Sequence, residues 1–217
     1  MSVQTQATIT QKESIAPAWW RLSLSVPDLP SAPLPGQFLL ARCADPFRCY
    51  LRRPLFPTGA DQERIDLLLR PGSDPGLAWL ATRRPGDSLD LIGPVGNGFL
   101  PEREIRNLLL ISDDQRPGPL LGQLQRAVSA GISVTLVLGG SRAAAIYPVK
   151  ELPPVVEVQV ATLDGSLGYR GPVSDLLPDL LLWADAAWAV GTTGAGLHSS
   201  SVATPDSWFI LRFSNSE

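Results

Sequence analysis

Alternating hydrophobic and polar positions mark the first hundred residues. RLSLSV (21–26) has a period of two, and QFLLARC (37–43), RIDLLLR (64–70) and DSLDLIG (87–93) are further runs of strand length. A two-residue period puts every second side chain on one face of a sheet. The turn formers PDLPSAPLPG, DPFR, PTGADQ and RPGD separate these runs. The spacing therefore predicts several short strands in an antiparallel barrel or sandwich. DPGLAWLATRR (74–84), with Leu77, Leu80 and Ala81, predicts a short helix within this region.

The pattern changes near residue 105. IRNLLLIS (105–112) is a continuous apolar run, as expected of a strand buried on both faces of a parallel sheet. PLLGQLQRAVSAG (119–131) predicts a helix ending at Gly131. ISVTLVLGG (132–140) and PPVVEVQVATLDG (153–165) predict two more strands, VSDLLPDLL (173–181) a helix, and DAAWAVGTTGAG (185–196) a strand running into a glycine-rich turn. Strands alternating with helices imply an open parallel α/β sheet. Two domains are thus expected, over 1–100 and 101–217, with the boundary in NGFLPERE (97–104).

Composition narrows the function classes. The 217 residues are 44% apolar and 18% charged, enough for two small globular cores. The net charge is −3 and no basic stripe exists, which argues against nucleic acid as a partner. Nearly all the positive charges are arginines, whose planar fork suits phosphate. The N-terminal MSVQTQATITQKE lacks the pattern of a signal peptide, and LLLWADAAWAV (180–190) is too short and interrupted to span a bilayer. A cytoplasmic protein without membrane insertion is expected. Cys43, Cys49 and His198 are the only cysteines and histidine, too few for a structural zinc site or an iron–sulfur cluster.

Three segments carry more specific information: PGQFLL (35–40) followed by YLRRPLFP (50–57), then GDSLDLIGPVGNGF (86–99), then ATLDGSLGYRGPVSDLL (161–177). In this order they resemble the ferredoxin reductase superfamily, and within it the electron-transfer subunit of the two-subunit dihydroorotate dehydrogenases. The resemblance spans roughly residues 5 to 213. It implies a flavin-binding antiparallel β-barrel followed by a nicotinamide-dinucleotide domain, with FAD and NAD(P) as cofactors and a redox partner subunit. It also implies site residues. Arg53 matches the arginine that pairs with the flavin phosphate. Pro54 and Leu55 would lie against the flavin ring, and Leu69 and Arg70 on the strand passing its ribose and phosphates. Gly76 matches a glycine at the pyrophosphate. Gly93, Gly96, Asn97 and Gly98 would shape the turn between the domains. Gly139 and Gly140 close a strand at the dinucleotide edge, Gly191 stands in the family's next nucleotide turn, and Asp164, Gly165, Ser166 and Gly168 resemble a family loop.

Several positions depart from that pattern. Phe56 stands where the family places a serine that bonds the flavin ring, and Leu77 where it places threonine. The glycine-rich turn after the first strand of the second domain becomes SDDQRPGP (112–119), with Asp113, Asp114 and Arg116 in place of glycines. Two carboxylates near a pyrophosphate repel it, by roughly 1 kcal/mol per pair at about 4 Å in water and more where water is excluded. The family cysteine before the last nucleotide glycine is Val190, and RFSNSE (212–217) falls where a cysteine-bearing cluster loop would begin. No iron–sulfur cluster or other metal is therefore expected in this chain. Two functions remain open at this level: a flavoprotein subunit relaying electrons between a nicotinamide cofactor and a partner, or a non-catalytic assembly subunit of a redox complex with degraded cofactor sites.

Overall fold

The longest strand is one that its polar composition hides. β1 (Val3–Ala16) buries Thr5, Ala7 and Ile9 and exposes the residues between them. Only four of its side chains reach the core, so the run reads as hydrophilic although its period is two. β1 is followed by β2 (Trp19–Ser25), β3 (Phe38–Ala41), β4 (Arg53–Leu55), β5 (Pro57–Ala60), β6 (Arg64–Leu69), the helix α1 (Pro75–Ala81) and β7 (Ser88–Val95). A computed structural model describes residues 2–17, 19–44, 49–61, 63–99, 105–113, 117–191 and 209–214, the side chains of 113 and 209–214 excepted. It divides into two units, Met1–Phe99 with Leu121–Gln123, and Leu100–Leu120 with Leu124–Glu217.

Among the described residues the first unit is one antiparallel sheet of order β4-β3-β7-β1-β2-β6-β5. Its two edge strands, β4 and β5, are separated in sequence by Phe56 alone. The sheet therefore curls until its edges meet the same stretch of chain, which makes a nearly closed barrel. Pro54 and Pro57 lie on these edges, where a missing N–H costs no ladder bond. Ile9, Leu22, Leu24, Leu39, Ile65, Leu67, Leu89 and Leu91 fill the barrel, each below 2% exposure. Burial of each such side chain contributes about 1.5–3 kcal/mol.

The second unit contains β8 (Asn107–Asp113), α2 (Gly118–Ser129), β9 (Ser133–Gly140), β10 (Glu157–Thr162), β11 (Tyr169–Arg170), α3 (Leu177–Trp183), β12 (Ala186–Gly191) and β13 (Phe209–Ser214). The strand order is β11-β10-β9-β8-β12-β13. β8 is central, and Leu108, Leu109, Leu110 and Ile111 are fully buried, as their unbroken apolar run requires. The pairs are parallel from β11 to β12, and β13 adds an antiparallel edge to the expected parallel sheet. α2 buries Leu120, Leu124 and Ala127 at helical spacing and stops where Gly131 takes a φ of +75°. The helix expected over 173–181 starts instead as a 3-10 turn, Val173–Leu176, and becomes α-helical at Leu177. Pro178 explains the delay, because its ring and missing N–H are tolerated only in a first helical turn.

Candidate functional site

Arg53 begins β4 at the open edge of the barrel, with its side chain 21% exposed. Its Nε donates to both carboxylate oxygens of Asp74, at 3.0 Å to Oδ1 and 2.8 Å to Oδ2. Its Nη1 donates to the Leu51 carbonyl at 2.8 Å, and Nη2 has no acceptor among the described residues. Asp74 caps α1, its Oδ1 accepting from the Leu77 N–H at 2.8 Å. One carboxylate thus holds both the guanidinium and a backbone donor. Burial alone would lower the Arg53 pKa, but the hydrogen bond and charge of Asp74 outweigh it and raise it. Arg53 is therefore a permanently charged, oriented donor.

Gly76 lies against the stem of Arg53. A Cβ there would sit 3.0 Å from Arg53 Cγ and 3.0 Å from Cys43 Cβ. The glycine thus lets α1 close onto the arginine. Cys43 and Cys49 are free and buried in the same region of the core. The Cys43 thiol is pushed up to about 12, by burial first and then by the proximity of Cys49.

The other barrel residues expected at the site divide by face. Leu55 and Leu69 are buried at 4% and 2%, so their side chains belong to the core and only their backbone can meet a ligand. Pro54 is half-buried and, by strand alternation, lies on the opposite face of β4 from Arg53 and Leu55. Arg70 has its guanidinium 5.0 Å from the centre of the Trp19 ring. Phe56 packs its ring against Phe38, with centroids 5.6 Å apart. Arg52 is structural, donating to the Asp90 carboxylate at 2.9 Å and to the Asp90 carbonyl at 2.9 Å. Asp74 was not expected at the site. Asp-Pro is a helix-start signal in the sequence, but nothing there couples it to an arginine 21 positions earlier.

In the second unit, Gly191 ends β12 and pairs in register with Asp113 at the end of β8. The chain passes from β8 to β9 on one side and reaches β12 on the other, so β8 and β12 border a topological switch point. In open α/β sheets this is where ligands bind, beyond the carboxyl ends of the strands. Gly139 lies one residue before the end of the neighbouring β9. The Asp113 side chain, Asp114, Arg116 and His198 lie outside the described residues. The Asp164–Gly168 loop is closed on itself. Asp164 Oδ1 accepts from the Ser166 N–H at 2.9 Å and the Ser166 hydroxyl at 2.6 Å, and that hydroxyl accepts from the Ala143 N–H. Its remaining bonds tie it to Ser141, Ala143 and Thr162 in the neighbouring strand ends and loop, as in a connecting turn.

An antiparallel barrel with an arginine on its edge, followed by an α/β sheet with a switch point, is the architecture of ferredoxin reductase-like proteins. Solved structures agree. The structure of an NADH-dependent reduced ferredoxin-NADP oxidoreductase, studied for flavin-based electron bifurcation, aligns with a TM-score of 0.69 at 25% identity, over 85% of this chain and 67% of that one. Ferredoxin-NADP+ reductase from Plasmodium falciparum aligns with a TM-score of 0.67 over 89% of each chain; at 13% identity this speaks to the fold alone. No family model matches the chain. The dihydroorotate dehydrogenase B (NAD(+)) electron transfer subunit of Geobacillus sp. (strain WCH70) is 31% identical over 194 residues, covering 88% of this chain and 76% of that protein. That of Geobacillus kaustophilus (strain HTA426) is 34% identical over 191 residues, covering 85% and 73%. This chain belongs to the family of dihydroorotate dehydrogenase B electron transfer subunits.

Proposed function

We propose that this chain is a flavoprotein electron-transfer subunit that relays electrons through FAD between a nicotinamide cofactor and a dehydrogenase partner subunit in the cytoplasm. Membership of the electron-transfer subunit family carries this reading. The residues present at the barrel edge fit the group. Arg53 is fixed at Nε and Nη1, while Nη2 has no acceptor among the described residues and would meet a phosphate oxygen. Gly76 keeps the wall beside the guanidinium free of a side chain. Pro54 and Leu55 belong to the edge strand β4, while Leu69 ends β6, the neighbour of the other edge strand, with Arg70 just beyond it. FAD, when bound, supplies the redox chemistry, exchanging a hydride with a nicotinamide and passing electrons on. The protein supplies position: the barrel holds the flavin nucleotide, and the switch point near Gly139 and Gly191 receives the dinucleotide. No helix among the described residues is long and apolar enough to cross a membrane.

A second reading, a non-catalytic assembly subunit, draws on one observation: Arg53 is already paired with a protein carboxylate. The visible spectrum separates the two. The flavoprotein reading expects absorbance bands near roughly 375 and 450 nm, from the purified protein or after adding FAD. A colourless protein that takes up no added flavin would reject it in favour of the assembly subunit.

A further inference from the structure

We propose that Asp74 is a specificity-determining residue that competes, from within the protein, for the guanidinium that a flavin phosphate would use. The inference rests on the proposed function, in which Arg53 faces that phosphate. Both Asp74 oxygens lie within 3.0 Å of Arg53 Nε. The same carboxylate accepts the Leu77 N–H at 2.8 Å, so it is locked in place by two elements and does not swing away freely. Arg53 and Asp74 together carry no net charge. An incoming phosphate meets an arginine whose field is largely cancelled, and it must approach a fixed negative charge at the distance of one guanidinium width. At such separations like charges repel strongly when water is partly excluded. The pair is neither deeply buried nor fully solvated, with side chains 21% and 31% exposed, so the repulsion is not screened away. While the pair is intact, the flavin phosphate therefore adds little to binding.

Two neutral substitutions test this while preserving the cap of α1. Asn and Ser both cap helices well, so Asp74→Asn and Asp74→Ser keep the bond to the Leu77 N–H. Thermal melts establish that the variants fold. Riboflavin, which has no phosphate, and FAD are then titrated against wild type and both variants by flavin fluorescence quenching at low salt. The expected result is that FAD tightens by about tenfold or more in both variants while riboflavin is unchanged, and that the gain shrinks with added salt. FAD binding that is equal or weaker in both variants overturns the inference and leaves the proposed function standing, because Asp74 would then position Arg53 rather than compete for it. Failure of every protein to bind either flavin overturns the proposed function and the inference with it.

Discussion

Asp90 accepts side-chain hydrogen bonds from Arg52 and Gln4 and forms an ion pair with Arg42, so three segments converge on it. Arg52 reaches it at 2.9 Å, Arg42 at 3.2 Å and Gln4 at 3.1 Å, and its own side chain is 16% exposed. Burial pushes its pKa up, but the bond and charge of Arg52, with Gln4 and Arg42, outweigh that and hold it below the ordinary 3.8. A depressed carboxylate stabilises the fold above the unfolded pKa and loses that stabilisation as pH falls through the folded value. Asp90→Asn should therefore lower stability by about 1–3 kcal/mol at neutral pH. The gap to wild type should narrow as pH drops below 3.8, which urea unfolding at pH 7 and pH 3 measures. Cys43 makes a second prediction at this scale. A fully buried thiol raised to about 12 is neither accessible nor ionised near neutrality. In a Cys49→Ser background, a thiol reagent at pH 8 should label Cys43 only after denaturant is added. Rapid labelling of the native protein would contradict the burial.

The turn after β10 shows how an element dictates a residue. Gly168 has a φ of +67°, and a Cβ there would lie 2.1 Å from the Val160 carbonyl oxygen. Gly131, at +75° behind α2, has nothing within 4 Å of its would-be Cβ. Gly131→Ala should cost about 1–2 kcal/mol, the left-handed strain alone. Gly168→Ala adds a backbone clash and should cost at least about twice that, read by chemical denaturation. Equal losses at both sites would mean that the turn around Gly168 opens to admit a side chain. The strands differ in how visible they are beforehand. RLSLSV and IRNLLLIS declare themselves because leucine dominates their buried positions. β1 does not, since Thr5 and Ala7 fill core positions that elsewhere hold leucine. β4 and β5 are three and four residues long and contain Pro54 and Pro57, which disguise strands unless they lie on an edge.

For the molecule as a whole, the question is whether both cofactor regions can work. Asp113 closes β8 at the switch point, and Asp114 follows it in sequence. The sequence puts two carboxylates where the family pattern has glycines, so a pyrophosphate received at this edge under the proposed function would meet like charge. NADH added to the flavin-loaded protein should therefore bleach the flavin slowly, and replacing both Asp113 and Asp114 by Gly should accelerate bleaching about tenfold or more. An unchanged rate in that double variant would show that the aspartates do not restrict the dinucleotide. Asp74 beside Arg53 and the two aspartates after β8 are thus the positions at which this subunit's cofactor binding is tested.

The leucine-rich strands, the change from barrel to α/β near residue 100 and, through the family resemblance of YLRRPLFP, the candidacy of Arg53 follow from the sequence by itself. Each depends on local periodicity, turn chemistry or a contiguous motif such as YLRRPLFP, and none requires distant residues to meet. The tertiary structure decided what Arg53 faces. The guanidinium and Asp74 are brought together only because β4 forms one edge of the barrel and α1 closes over it, with Gly76 leaving space for the arginine stem. It likewise decided that Leu55 and Leu69 turn inward, since which face of a strand is the core is set by its neighbours across the sheet. A charge pair across 21 residues has no periodic trace in a chain; it exists only once packing fixes the distance.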